Sequence, residues 1–200
     1  MKRARDVTAW GALALAMAVP VAIAATSPQL QWRSAIYIAA SFAGVVGLSL
    51  LLVQPLLAGR ALPGLTARRA LRWHGVVGAL LLVAIAVHVG GLYLTSPPDV
   101  VDALLLRSPT RFSLFGVAAM WAAIAAALVI AMRRRIGLRA STVQRIHLSL
   151  ALIVVGGTVV HALLIIGTMG WWSKLAICTL VVAASGWLVV SRARCGRAGR

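Results

Sequence analysis

The residues best equipped for chemistry in this chain are its four histidines. They come as two equal pairs, His74 with His88 and His147 with His161, each fourteen residues apart within a long apolar stretch. On an α-helix, fourteen residues turn through roughly four turns less 40° and rise about 21 Å, so each pair lies along one helix face at two depths. Two such helices side by side offer two bis-histidine sites stacked across a membrane. A zinc site needs about four ligands at one point, whereas each depth here supplies two. A haem brings four equatorial nitrogens of its own, and two imidazoles complete its iron. Metal or proton-coupled carriers normally set carboxylates beside their histidines, yet Asp6, Asp99 and Asp102, the only acids, lie outside the apolar spans. For one histidine alone, a hydrogen-bonded place in a bundle is the plainer reading. The joint pattern of four is what favours two b-type haems.

These histidines need helices to hold them, and the composition supplies them. Hydrophobic residues make up 62% of the 200 residues and the mean hydropathy is +0.96, well above soluble domains. The apolar runs recur at the length that crosses the hydrocarbon core, roughly 20 residues each. The expected fold class is therefore all-α, a polytopic membrane protein forming one six-transmembrane-helix bundle over residues 1–200. Its helices are expected at about 7–25, 35–57, 71–94, 112–132, 143–169 and 175–190. The first also fits a secretory signal, with Ala22-Ile23-Ala24 ahead of Ala25. Its long apolar body favours a retained helix. Gly44 and Gly47 suit close helix contact, Pro55 a kink or helix end, and Pro97-Pro98 a stop before an outer loop over Thr95 to Thr110. Trp171 and Trp172 read as interfacial residues in a short outer turn. No internal repeat is evident beyond the shared histidine spacing.

A net charge of +17 would suit nucleic acid, but its placement argues otherwise. Sixteen of the twenty basic residues fall in four groups: Lys2, Arg3, Arg5; Arg60, Arg68, Arg69, Arg72; Arg133, Arg134, Arg135, Arg139, Arg145; and Arg192, Arg194, Arg197, Arg200. These occupy every second hydrophilic gap, the positive-inside pattern, with only Arg33, Arg107, Arg111 and Lys174 left outside. The charge thus marks topology and contact with anionic lipid, not nucleic acid. Both termini are expected in the cytoplasm and the protein in the plasma (inner) membrane. The two histidine helices then run parallel, so His74 pairs with His147 near the cytoplasm and His88 with His161 nearer the outer face. Cys178 sits in an apolar run and Cys195 in the basic tail, so no disulfide is indicated.

Several neighbours fit haem without requiring it. Gly75, Gly78, Gly90, Gly91, Gly156 and Gly157 would let a flat porphyrin approach the backbone, and serve helix packing equally well. Arg72 and Arg145 each stand two residues before an inner histidine. They are candidate cofactor-binding partners for haem propionates and equally plausible as topology markers.

The run from Arg68-Arg69-Ala70-Leu71-Arg72-Trp73-His74 to His88, followed by Gln144-Arg145-Ile146-His147 to His161, resembles the ferric reductase-like transmembrane domain. That family includes the membrane parts of ferric reductases and NADPH oxidases, and the haem-binding subunit of the periplasmic methionine-sulfoxide reductase system. The resemblance covers about Ala35 to Trp187. It implies a six-helix bundle with two haem b groups ligated by His74, His88, His147 and His161, moving electrons outward from a cytosolic flavin or reduced nicotinamide. The family's flavin- and NAD(P)H-binding domains have no counterpart in this sequence. The implied partners are a separate cytosolic flavoprotein reductase or flavin donor and an extracytoplasmic electron acceptor, with the chain as electron-transfer component of an oxidoreductase. The alternatives are a cytochrome b subunit of a quinone-linked dehydrogenase and a haem-free membrane scaffold or carrier.

Overall fold

The computed structural model describes residues 2–198, without the side chains of Lys2, Ile136 and 195–198. Arg200 and the side chains of Cys195 and Arg197 lie outside the described residues. Seven α-helices follow in order: α1 (Lys2–Ala25), α2 (Ala35–Ala58), α3 (Ala67–Thr95), α4 (Pro97–Leu104), α5 (Arg111–Ile136), α6 (Ala140–Leu164) and α7 (Trp171–Ala198). All but α4 are long and apolar enough to cross a membrane, which makes this an all-α, multi-pass membrane protein. In lipid every backbone amide must be satisfied within the chain, and a helix achieves that locally.

Local chemistry sets the helix ends. The Ser34 hydroxyl accepts from the Tyr37 N–H at the start of α2, and the Thr66 hydroxyl from the Arg69 N–H at the start of α3. The Thr66 cap starts α3 at Ala67, four residues before the expected Leu71, and draws Arg68 and Arg69 into the first turn. Pro97 and Pro98 do stop α3, but they also open α4, because a proline lacks the N–H that a first helical turn leaves unused. The expected outer loop is thus partly helical. α5 ends on Gly137 in the left-handed conformation (φ 66), with Arg133, Arg134 and Arg135 in its last turn. α6 stops at Leu164, short of the expected Met169, where Ile165 turns extended and the chain reverses through Gly167 and Gly170. Trp171 and Trp172 open α7 and are not in a turn.

The bundle is assembled from two antiparallel hairpins. α2 packs along α3 and α5 along α6, while α7 bridges α2 and α6 and α1 lies on α2 and α7. One continuous apolar core joins them, from Val45, Leu48 and Leu52 on α2 to Ala122, Ala123, Val154, Ile177 and Val181. Burial is uneven: the spanning window of α2 is 44% buried, whereas those of α3 and α6 are only 6%. α3 and α6 make almost no close backbone contact with each other. Their four histidine rings project into the space between.

Candidate functional site: two histidine pairs on a pseudo-twofold axis

The rings meet in the expected combination. His74 and His147 have centroids 6.1 Å apart with planes crossed at 77°, and His88 and His161 are 6.4 Å apart at 82°. The first histidine of one helix faces the first of the other and the second faces the second, so α3 and α6 run parallel. The two levels are about 21 Å apart by helical rise.

Each ring is tied to the neighbouring helix of its own hairpin. Nδ1 of His74 donates to the Gln54 carbonyl at 3.2 Å and that of His88 to the Ala40 carbonyl at 2.8 Å. Nδ1 of His147 donates to the Ala126 carbonyl at 3.3 Å and that of His161 to the Phe112 carbonyl at 2.9 Å. A carbonyl oxygen can only accept, so these bonds place the proton on Nδ1 and leave the Nε2 lone pair free. A metal-ligating histidine commonly donates its other ring N–H to a backbone carbonyl in this way.

The acceptors expose a repeat that the sequence alone did not reveal. Ala40 and Gln54 on α2 are fourteen residues apart, as are Phe112 and Ala126 on α5. Adding 72 takes Ala40, Gly44, Gly47 and Gln54 to Phe112, Gly116, Ala119 and Ala126, and adding 73 takes His74, Ala84 and His88 to His147, Gly157 and His161. The contacts follow. An added Cβ on Gly47 would lie 3.8 Å from the Ala84 Cβ, and one on Gly157 would lie 3.0 Å from the Ala119 Cβ, the same crossing with its small residues exchanged. The two hairpins therefore repeat one register of carbonyl, small residue and histidine, with their histidine helices parallel.

Two glycines hold the outer pair. A Cβ on Gly44 would sit 3.0 Å from the His88 ring, and one on Gly116 would sit 2.7 Å from Nδ1 of His161. Each lies one turn beyond the carbonyl that binds the same ring. In the sequence they resemble any other helix-packing glycine. Among the six expected to flank a porphyrin, Gly78, Gly91 and Gly157 instead meet Gln54, Ala40 and α5 respectively, while Gly75, Gly90 and Gly156 face open space.

The fit to haem rests on this donor chemistry. Two imidazoles collinear through one metal, with bonds of about 2 Å and about 1.1 Å from nitrogen to ring centre, put the centroids about 6.2 Å apart. The observed 6.1 and 6.4 Å bracket that value. No group of three or more His, Cys, Asp or Glu converges among the described residues, and each level brings two histidines together. An apolar cavity of about 460 Å³ opens between α3 and α5, lined by Leu82, Ile85, Val89, Met120, Ile124 and others. Compared with known proteins, the chain matches no family model, no curated protein and no solved structure.

The cations are arranged less simply. Arg72 and Arg145 are exposed at the starts of α3 and α6, and residues two apart on a helix do not share a face. Arg192 and Arg194, which the sequence places in a basic tail beyond residue 190, lie within α7. At the end of the bundle expected to face outward, Arg107 and Arg111 are exposed, but Lys174 is buried and does not join them at the surface.

Proposed function

We propose that this chain conducts electrons across the plasma (inner) membrane through two b-type haems, one on His74 and His147 and one on His88 and His161. The observation that carries this reading is the set of four imidazoles, each fixed through Nδ1 to a helix carbonyl and paired with ring centroids 6.1 and 6.4 Å apart. When bound, haem supplies one-electron redox chemistry at iron. His74, His147, His88 and His161 would hold the two groups and Leu82, Ile85, Val89 and Ile124 would offer an apolar lining; with two imidazoles on each iron, outer-sphere electron transfer would be the chemistry supplied.

Electrons enter from a cytosolic flavin or nicotinamide system, drawn to the basic face of Arg68, Arg69, Arg133, Arg134 and Arg135. They leave to an extracytoplasmic acceptor near Arg107 and Arg111. A concavity of about 180 Å³ there, lined by Ser108, Thr110, Arg111 and Ser113 among others, lies next to Phe112, whose carbonyl orients His161. This is the role of the ferric reductase-like transmembrane domain, with the flavin carried by a separate protein.

The direct experiment is the visible and EPR spectrum of protein produced with ample haem. We expect a Soret band and two low-spin ferric signals. Crossed imidazole planes leave the two iron orbitals that bond to them nearly equal in energy, so both signals should be strongly axial. Absence of a Soret band would remove the redox reading in favour of a haem-free scaffold.

The arginine distribution makes a second expectation, that both termini are cytoplasmic. A reporter fused after Arg200 should be active only if it works in the cytoplasm. A periplasm-dependent reporter that lights up there inverts the bundle and the direction of flow.

A further inference from the structure

α7 turns a stripe of Lys174, Ile177, Cys178, Val181, Ser185 and Leu188 into the bundle, and its first member is a cation only 6% exposed. Lys174 Nζ donates to the Ile165 carbonyl at 2.6 Å, and the Ile165 N–H donates to the His161 carbonyl at 3.1 Å. The ammonium therefore sits one helical turn outward from a member of the outer histidine pair. It has three donors; the hydrogen-bond partner among the described residues is the neutral Ile165 carbonyl, and the Trp171 ring lies 5.8 Å from Nζ. The preceding residue in α7, Ser173, has a hydroxyl buried without a hydrogen-bond partner among the described residues. The chain's three acids lie on α1 and α4, and none pairs with Lys174 among the described residues. A buried charge is costly unless an opposite charge and hydrogen bonds compensate it. Charge, unused donors and position all call for a carboxylate at the outer level.

We propose that Lys174 and Ser173 form a carboxylate-binding corner that holds a propionate of the outer haem, an inference that rests on the two-haem reading. Lys174 supplies a charge-assisted hydrogen bond and Ser173 a neutral one. Lys174 is then a positioning residue with an electrical consequence. A fixed positive charge beside the outer iron favours its reduced form and raises the outer potential relative to the inner one, which biases electrons outward.

The test is a spectroscopic redox titration of the haem-loaded protein, with the outer couple assigned by its loss in His88→Ala. Lys174→Gln should lower the outer midpoint potential and leave the inner one unchanged. Ser173→Ala should shift the same couple by less, and Lys174→Arg should restore it. An outer couple in Lys174→Gln equal to the unmodified protein overturns the proposal, as does an equal shift of both couples, which general loosening would produce. If Lys174→Gln does not assemble, Ser173→Ala decides: no change in its outer couple overturns the corner. Protein without a Soret band removes the two-haem reading and this inference together, whereas normal haem content with unmoved couples removes this inference alone.

Discussion

His88→Ala should stop outward electron transfer while leaving the inner site reducible. The substitution removes one axial nitrogen of the outer pair and leaves His74 and His147, about 21 Å away along the helices, untouched. In membrane vesicles with donor at the cytoplasmic face, the remaining haem should still be reduced, and reduction of an impermeant outside acceptor should fall to background. His161→Ala should give the same result, since it empties the same level. His74→Ala and His147→Ala should deplete the other haem instead. Outside reduction at the unmodified rate in His88→Ala would end the two-haem relay. Equal partial loss of both haems in all four variants would contradict the pairing.

Gly116→Ala should cost the outer haem and spare the inner one, although the change adds only a methyl group. That carbon would lie 2.7 Å from Nδ1 of His161, inside contact distance, and must push the ring away from its 2.9 Å bond to the Phe112 carbonyl. Losing the hydrogen bond that orients a metal-binding histidine typically costs about 10–100-fold in affinity, and overpacking adds about 1–3 kcal/mol of destabilisation. Gly44→Ala, at 3.0 Å from His88, should act in the same direction and less strongly. Gly186→Ala is the control, since an added Cβ there meets nothing within 4 Å. Haem content and the outer redox couple are the measurements. A Gly116→Ala protein with both haems at full occupancy and unchanged couples would show that the ring is not held as the structure has it.

These glycines mark where reading the chain residue by residue stopped. Six membrane-spanning helices were legible because lipid leaves the backbone no alternative: a run of about 20 apolar residues must be helical, and hydropathy finds it without tertiary information. The histidine levels were equally legible, since helical rise and twist are constant and Arg clusters at alternate gaps orient α3 and α6 alike. The pairing of His74 with His147 and of His88 with His161 follows from those two facts.

What holds each ring was decided only in three dimensions. The carbonyls of Ala40, Gln54, Phe112 and Ala126 bind histidines between 20 and 49 residues away. Every residue has a carbonyl, so nothing in the residue type signals the partner. The two-hairpin repeat is hidden for the same reason: it is conserved in backbone register and small-residue crossings, while Ala40 corresponds to Phe112 and Gln54 to Ala126. Lys174 reads in sequence as one more outer charge, and only the docking of α7 against the end of α6 buries it. Local periodicity fixes what a helix is, and the packing of one helix on another fixes which of its atoms are left to bind.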